Sequence, residues 1–332
     1  MRRWTRVLGV LAAVVTTAAT LAATPGSAAA AKDVPVRVLT WNILHGGQNP
    51  DNLRNLLEQI QSERPDVFLT VETYGSGPKI EKALDAMGKG DYTGVRITDR
   101  PSGSDNLWLF TRYPVLQRLP KPTGDTVSDF NIGGARVQLP NGPSVNLFTV
   151  WVSYSDPWNG YLMDENAAAI RAGRTPPHAP EAISRAETVQ NRQLGDIIRT
   201  QLPAMLNGNT DPVVMGGDLN TPAASDWTPS WGKCPGHLDM SYPLTATNIV
   251  TGAGFVDAFR AANPDACTTP GITWSPLPDQ RMITPQRIDF TFAKGAEVQR
   301  SRVLDQRLPQ HGPGVFYSDH AAIVSDLVFR AR

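Results

Sequence analysis

The chain has 332 residues, of which 41% are hydrophobic, and its 31 basic and 31 acidic side chains give a formal net charge of zero. That length can bury a large core, and no repeat or low-complexity linker divides it. The charge balance argues against a tight non-specific binder of nucleic acid, which normally carries a basic surplus.

Residues 1–31 are typical of a secretory signal peptide. Arg2 and Arg3 precede an apolar run of small residues over 8–23, and the alanines at 29–31 provide a cleavage site. The run is too short to be assigned as a membrane span, and nothing later approaches the required length of about 20 apolar residues. We therefore expect export to the extracellular space.

Removal of this segment takes away 3 of the 31 basic residues and no acidic residue, so 28 basic residues stand against 31 acidic ones and the net charge becomes −3. The mature chain is therefore not a polycation. Because its sequence shows no internal boundary, we expect residues 32–332 to form one catalytic domain.

The remainder of the chain alternates between strand and helix patterns. Short apolar runs that stop at polar or glycine-rich positions predict strands. Apolar residues at helical spacing predict helices, the first of which opens at Asp51 or Asn52 and ends before Pro65. In chain order, the predicted strands are 36–39, 67–71, 106–110, 135–139, 145–152, 213–215, 287–292 and 321–329, and the predicted helices are 51–63, 81–87 and 182–206, with 156–180 as a loop.

Five of the predicted strands carry polar side chains at or near their ends. Gly216 and Gly217 allow close backbone approach or a positive φ just before Asp218 and Asn220. These two side chains lie on the same side if the chain stays extended, and an Asx turn that closes the strand is an equal alternative. The full set is Asn42, Glu72, Asp218, Asn220, Asp289, Asp319 and His320. Its carboxylates, carboxamides and single imidazole are the inventory of an oxygen-rich divalent-metal site with an adjacent acid-base histidine.

The order of these motifs is specific to one family. The motifs are Trp41-Asn42, Glu72, Gly217-Asp218-Leu219-Asn220, Arg287-Ile288-Asp289-Phe290 and Ser318-Asp319-His320. Over residues 36–329 this ordered set resembles the endonuclease/exonuclease/phosphatase superfamily of DNase I-like, metal-dependent phosphoesterases. The resemblance implies an α/β fold, a four-layer sandwich in which two mixed β-sheets pack face to face with helices outside.

The resemblance also implies a metal site. Glu72 would hold Mg²⁺ or Mn²⁺ with help from Asn42 and Asp319, because hard oxygen ligands select hard cations. The metal would neutralise a phosphate oxygen and stabilise the charge that grows on the leaving group.

Four residues would carry the catalytic steps that the resemblance implies. His320, oriented and made more basic by Asp289, would take the proton from the attacking water. Asp218 would position that water or a second metal, and Asn220 would donate a hydrogen bond to a non-bridging phosphate oxygen.

Three further residues are expected to contact the substrate. Arg287 would assist by charge, although a structural role is an equal alternative. His45 lies three residues after Asn42 on a loop that should border the site, and Trp158 could line the rim of the cleft.

The stretch 145–154 departs from the family pattern. The family usually has a histidine at the end of this strand, where it contacts the phosphate and assists the leaving group, and this sequence has none there. Depending on register, Trp151 or Tyr154 takes its place, and Tyr154 is favoured because Ser153-Tyr154 mimics the usual Thr-His setting. A tyrosine hydroxyl, with a pKa of about 10, is a poor proton shuttle near neutrality.

Cys234 and Cys267 are the two cysteines of the chain. Because an exported protein meets oxidising conditions, they predict a disulfide rather than a metal site.

These features favour a secreted, divalent-metal-dependent phosphoesterase that hydrolyses phosphodiesters by in-line attack of water. Its expected cofactor is Mg²⁺ or Mn²⁺, its expected partner is a nucleic acid, a lipid headgroup or a small phosphodiester, and we expect a monomer. Two alternatives remain open: a phospholipase C- or sphingomyelinase-like hydrolase of lipid headgroups, and a catalytically weakened member that binds a ligand. The missing histidine supports the last, whereas the other seven polar site residues argue against it.

Overall fold

The structure is a computed structural model that describes Met1 and residues 33–331, so the predicted signal peptide lies, apart from Met1, outside the described residues. Within this range the strands are β1 (Val34–Asn42), β2 (Val67–Val71), β3 (Thr93–Arg96), β4 (Trp108–Thr111), β5 (Val115–Arg118), β6 (Ile132–Gln138), β7 (Ser144–Trp151), β8 (Val213–Asp218), β9 (Val256–Asp257), β10 (Asp289–Lys294), β11 (Glu297–Leu304) and β12 (Ala322–Phe329). They form two six-stranded sheets, with the orders β11-β12-β1-β2-β4-β3 and β5-β6-β7-β8-β10-β9.

Both sheets are mixed. In the first sheet β1 pairs with β2 in parallel and with β12 in antiparallel fashion, and in the second sheet β8 pairs with β7 in parallel and with β10 in antiparallel fashion. All the strands predicted from sequence are present. Those that were not predicted, β3, β5, β9 and β11, are the sheet edges, where strands are more exposed and show weaker apolar runs.

The described part of the chain also forms helices, several of which cover the outer faces of the sheets. The helices are α1 (Leu44–Gly47), α2 (Pro50–Glu63), α3 (Gly77–Asp85), α4 (Asn159–Arg171), α5 (Pro180–Arg185), α6 (Thr188–Asp196), α7 (Leu202–Leu206), α8 (Ala246–Gly252) and α9 (Ala258–Ala262). A π-helical turn, Ile197–Gln201, joins α6 to α7. Over the described part of the chain, none of these helices has the length and apolar character needed to cross a membrane.

Three apolar clusters separate four layers, which confirms the predicted sandwich. Between the sheets, side chains such as Val38 and Leu69 of the first sheet meet Leu147 and Val214 of the second. On the outer face of the first sheet, residues of α2 and α3 pack against Leu39, Trp41, Phe68 and Phe110. On the outer face of the second, residues of α6 and α8 pack against Phe148, Val150, Met215 and Phe290.

Two predictions about helices are wrong. The stretch 156–180 is not a loop throughout, because α4 occupies Asn159–Arg171. Gly160, which suggested a loop, leaves space for an indole, since a Cβ at this position would lie 2.4 Å from the Trp158 ring. The single helix 182–206 is divided, because α5 ends at Arg185 and α6 begins at Thr188. A π-helical turn then ends two residues before Pro203, which has no N–H to donate to the carbonyl one turn earlier.

The predicted disulfide is confirmed, because Cys234 and Cys267 are bonded in the structure. The bond closes a segment with a sequence separation of 33 residues that contains few regular elements. In the chain-entropy model, a loop of this size contributes about 3 to 4 kcal/mol to the free energy of unfolding.

Gly216 and Gly217 allow β8 to approach both neighbouring layers just before Asp218. A Cβ on Gly216 would lie 2.5 Å from Thr40 Oγ1 in the other sheet. A Cβ on Gly217, whose φ is 153°, would lie 1.7 Å from the Val150 carbonyl oxygen of β7. The glycine pair is therefore a condition for placing Asp218 beside both sheets.

We expect Gly217→Ala to lower the free energy of unfolding by about 3 kcal/mol or more, because backbone atoms cannot yield as a flexible side chain can. Gly195→Ala in α6 is the matched control, since its Cβ would meet nothing closer than Arg199 Nη1 at 3.7 Å. The control should be neutral or stabilising by up to about 1 kcal/mol. Urea unfolding measures both variants, and equal stabilities would contradict the packing described.

Candidate functional site

The polar strand ends meet where the two sheets face each other. The carboxyl ends of β1, β2 and β8 and the amino ends of β10 and β12 lie at this edge, as their parallel and antiparallel pairings require. Asp218 stands opposite Asp289 on the adjacent strand. Across the sheets, Asn42 Nδ2 lies 3.3 Å from Asp218 Oδ2, which joins the two halves of the site.

Asn42 and Glu72 form one side of the site. Asn42 donates from Nδ2 to Glu72 Oε1 at 3.1 Å, and its Oδ1 accepts from the Leu44 backbone N–H at 3.1 Å. Glu72 Oε2 accepts from the His45 backbone N–H at 3.1 Å. The Glu72 side chain retains 17% exposure, so its carboxylate is accessible from the cleft.

The backbone of Glu72 is fixed in an unusual conformation. Its φ is 56°, a left-handed value that a residue with a side chain rarely adopts. The Glu72 N–H donates to Asn106 Oδ1 at 2.7 Å, and its carbonyl accepts from the Gly46 N–H at 2.7 Å. Strain of this kind persists where surrounding contacts impose it, and here those contacts aim a carboxylate at the site.

Asn106 was missed by the sequence reasoning. The Asp105-Asn106 pair directly before β4 was the available signal, since polar residues at strand ends identified the rest of the site. Its role is to hold Glu72, which only the tertiary contact reveals.

Asp289 and His320 form the opposite side. His320 Nδ1 lies 2.8 Å from Asp289 Oδ2, and His320 Nε2 lies 3.9 Å from Asp218 Oδ2. Burial would lower the pKa of His320, but the carboxylates of Asp289 and Asp218 outweigh it and raise that pKa above its ordinary value. Asp289 Oδ1 is buried and has no hydrogen-bond partner among the described residues.

Asp218 and Asn220 form a tight unit. Asn220 donates from its backbone N–H to Asp218 Oδ1 at 2.8 Å and from Nδ2 to Asp218 Oδ2 at 3.0 Å. The chain is not extended here, because Asn220 has a φ of 49°. The bond from its N–H to Asp218 Oδ1 is that of an Asx turn, the alternative that the Asp-x-Asn pattern also predicts. Burial raises the pKa of Asp218 well above its ordinary value, while a positive charge on His320 opposes that shift.

Trp158 binds the loop that carries Asn220. Its Nε1 donates to the Asn220 carbonyl at 2.8 Å, and Gln190 Nε2 donates to the same oxygen at 3.1 Å. The Trp158 side chain is buried against Tyr161 and Trp274. The prediction that Trp158 contacts substrate is therefore replaced by a positioning role.

Asp319 lies beside His320 on a loop that is fastened to β1. Ser318 Oγ donates to the Asn42 carbonyl at 2.8 Å, and Trp41 Nε1 donates to the His320 carbonyl at 2.8 Å. Burial raises the pKa of Asp319, while His320 opposes the shift and Glu72 adds to it. The predicted metal ligand Asp319 is therefore close enough to Glu72 for their charges to interact.

His45 borders the site, where the sequence placed it. Its side chain is 74% exposed, and Nδ1 lies 3.9 Å from Glu72 Oε2. The imidazole stacks on Tyr74 with ring centroids 5.8 Å apart. Contact between His45 and a substrate stays a prediction.

Register places Trp151, not Tyr154, beside Asp218. Trp151 is the last residue of β7 and pairs directly with Asp218 in the parallel ladder. Tyr154 lies beyond the strand and is 63% exposed. The preference for Tyr154 as the counterpart of the family histidine is therefore wrong, and its assignment as a catalytic residue falls with it.

Arg287 does not reach the site either. Its side chain is 1% exposed, and the guanidinium binds Asp226 at 2.9 Å and Asp257 at 2.7 Å. Burial would raise the pKa of Asp226, but Arg287 and Arg260 outweigh it and lower that pKa to about 2. The prediction that Arg287 contacts substrate is wrong, and the structural alternative applies.

Two sets of side chains could hold a cation. Asp218, Asp289 and His320 offer ligand atoms within 4.8 Å of one another. The other set is the one that the resemblance implies, Glu72, Asn42 and Asp319, although Asn42 turns Nδ2 toward Glu72 while its Oδ1 accepts from the Leu44 N–H. Each oxygen of the accessible Glu72 carboxylate accepts one hydrogen bond, so lone pairs remain for a hard cation. In the first set both imidazole nitrogens of His320 already face carboxylates. This arrangement suits proton binding better than metal binding.

The sequence matches the model of the Endonuclease/Exonuclease/phosphatase family over residues 39–320. The chain therefore belongs to this family, whose members are phosphoesterases and nucleases. It is also 25% identical over 314 residues to the Caenorhabditis elegans protein named uncharacterized protein F14F9.5, with 89% of this chain and 91% of that one covered.

Solved structures share the fold. An endonuclease/exonuclease/phosphatase from Bacteroides vulgatus is similar with a TM-score of 0.55 and 15% identity over 90% of this chain and 100% of that one. TDP2 from Caenorhabditis elegans has a TM-score of 0.55 and 15% identity over 90% and 75% of the two chains. A family member from Beutenbergia cavernae has a TM-score of 0.53 and 18% identity over 90% and 72%.

The buried Asp226–Arg287 pair predicts a specific pH dependence of stability. With a folded pKa of about 2, ionised Asp226 contributes about 3 kcal/mol above its unfolded pKa of about 3.9, and this contribution is lost as pH falls through the folded value. We therefore expect the stability gap between wild type and Asp226→Asn to shrink between about pH 5 and about pH 2. Urea unfolding across this range measures it, and a constant gap would show that the carboxylate charge is not involved.

Proposed function

We propose that this protein is a secreted phosphodiesterase that uses Mg²⁺ or Mn²⁺ and hydrolyses its substrate by in-line attack of water. Family membership supports a phosphoesterase in general. The observation that carries the finer proposal is the division of the site: an accessible carboxylate, Glu72, on one side, and the buried Asp289–His320 pair on the other. Asp218 touches both sides.

The carboxylate oxygens of Glu72 and Asp319 suit a hard divalent cation and would hold it, with help from Asn42, which turns Nδ2 toward Glu72 and so positions that carboxylate. When bound, the metal would neutralise a phosphate oxygen and stabilise the charge that develops on the leaving group. Asn42 holds the Glu72 carboxylate in place through the bond at 3.1 Å. Burial raises the pKa of Asp319, so a cation bound beside the Asp319 carboxylate would be favourable.

The chain's own residues account for the proton. As water forms its bond to phosphorus and the leaving oxygen departs, a neutral His320 would take the water proton at Nε2. Asp289 holds the opposite nitrogen at 2.8 Å and makes the ring a stronger proton acceptor. Asp218 would orient the water by accepting its second hydrogen, and Asn220 would donate from Nδ2 to a phosphate oxygen after leaving Asp218.

Trp151 gives one observation in favour of a second candidate function. An indole N–H can donate a hydrogen bond, but it cannot shuttle a proton as the family histidine does. Because Trp151 stands next to Asp218, a catalytically weakened member that binds a phosphoester is the second candidate.

Export is part of the proposal. The pattern of residues 1–31 supports it, and the Cys234–Cys267 disulfide is of the kind that forms in oxidising compartments.

Removal of the metal should abolish hydrolysis of an aryl phosphodiester, and added Mg²⁺ or Mn²⁺ should restore it. Glu72→Gln should weaken Mn²⁺ binding by about 100-fold or more, since it removes a charged ligand. Glu181→Gln on the exposed start of α5 is the control and should bind as wild type does. Calorimetry and turnover measure the two effects, and full activity in EDTA would reject the proposal.

The register predicts which substitution restores the missing imidazole. Trp151→His should raise kcat by about tenfold or more, because one general acid-base group contributes about 10²- to 10⁴-fold. Tyr154→His should leave kcat unchanged, since that side chain lies beyond the strand. Steady-state kinetics on an aryl diester compare the variants, and a gain at Tyr154 without one at Trp151 would overturn the register argument.

A further inference from the structure

Arg100 is an exposed cation that lacks an acidic partner. Its Cζ lies 4.7 Å from the centre of the Phe130 ring, a cation–π contact. Of the residues that the structure describes, none offers a carboxylate oxygen within 4.0 Å of its guanidinium. A guanidinium that contacts a ring keeps N–H donors available for a ligand.

A short chain of contacts connects Arg100 with the catalytic site. Asn106 accepts from the Glu72 N–H at 2.7 Å and donates from Nδ2 to the Phe130 carbonyl at 2.9 Å. The Phe130 ring meets Trp151 edge-on at 5.5 Å, and Trp151 pairs with Asp218. Phe130 is thus fixed to both sides of the site, and Arg100 rests on Phe130.

The loop that follows Glu72 lies between the site and the loop that carries Asp105. The Tyr74 ring stacks on His45 with centroids 5.8 Å apart, and His45 Nδ1 lies 3.9 Å from Glu72 Oε2. The two loops are joined directly, because the Gly75 N–H donates to Asp105 Oδ1 at 2.7 Å.

The acidic side chains next to Arg100 and Phe130 in sequence are paired with a different cation. Lys121 lies 2.9 Å from Asp99 and 3.0 Å from Asp129, so these two carboxylates bind Lys121 and not Arg100. The floor of the site carries four carboxylates, Glu72, Asp218, Asp289 and Asp319, against the single imidazole of His320. An anionic substrate therefore gains from a cation at the rim.

We propose that Arg100, supported by Phe130, binds a second phosphate of the substrate, next to the phosphodiester that is cleaved. This inference rests on the proposed phosphodiesterase function. The scissile phosphate must reach the groups of the site floor, whereas Arg100 is connected to those groups through Phe130 and Asn106. The subsite therefore selects substrates that carry a neighbouring phosphate group, whether from an oligonucleotide or from a phosphorylated headgroup.

Paired substrates test the subsite. The first pair is dithymidine monophosphate with and without a 5′-phosphate, and the second is glycerophosphoinositol with and without a ring phosphate. Wild type should show kcat/KM about tenfold or more higher for the phosphorylated member of whichever pair it cleaves, mainly through KM. The pair that shows the preference identifies the source of the second phosphate.

Two variants separate the subsite from bulk charge. Arg100→Gln should abolish the preference for the phosphorylated member and leave kcat/KM for the unphosphorylated member unchanged. Arg199→Gln, an equal loss of charge on the exposed π-helical turn, should keep the preference. Phe130→Leu should reduce the preference without changing charge, because the guanidinium loses its support.

Binding measurements test the second-phosphate subsite independently of turnover. In a His320→Ala background, calorimetry should show tighter binding of the phosphorylated member of a pair, and Arg100→Gln should remove that advantage. Equal affinities for the two members of both pairs, or an advantage that survives Arg100→Gln, would overturn the proposal. If wild type cleaved no phosphodiester, the proposed function would fail while this binding test still decided the subsite.

Discussion

Charge compensation between two buried carboxylates and one imidazole governs this structure. Asp218 and Asp289 face each other on adjacent strands and are both buried, an arrangement that is unfavourable without a nearby positive charge. When protonated, His320 supplies it from the other sheet, at 2.8 Å from Asp289 and 3.9 Å from Asp218. The glycine pair before Asp218 and the tie from Ser318 to β1 keep these groups within reach of each other.

The site is supported by hydrogen bonds from side chains that contact no predicted ligand. Asn106 holds the strained backbone of Glu72, and Trp158 and Gln190 share the carbonyl oxygen of Asn220. Outer-layer helices are thereby connected to the reacting groups, since Gln190 belongs to α6. Such supporting contacts hold a site in its working geometry, so both sides of the cleft are preorganised before a substrate arrives.

The sequence predicted the inner strands, because buried strands have clear apolar runs. The sandwich and the convergence of the polar strand ends followed from the resemblance of the ordered motifs to the family. The sequence failed where the answer depended on distant partners. Arg287 is neutralised by Asp226 and Asp257, neither of which belongs to its motif. Trp151 rather than Tyr154 adjoins Asp218 because of a ladder register that no local pattern specifies. The edge strands were not predicted because each has a neighbouring strand on one side and faces solvent on the other.

The central claim is that the two sides of the cleft have different tasks: Glu72 binds a metal, and the Asp289–His320 pair handles a proton. The most direct measurement is an anomalous difference map from a crystal of the protein soaked in Mn²⁺. The account predicts a peak at the Glu72 carboxylate, within about 2.5 Å of an oxygen, while the contact between His320 and Asp289 stays intact. A peak among Asp218, Asp289 and His320 instead, with none at Glu72, would contradict it.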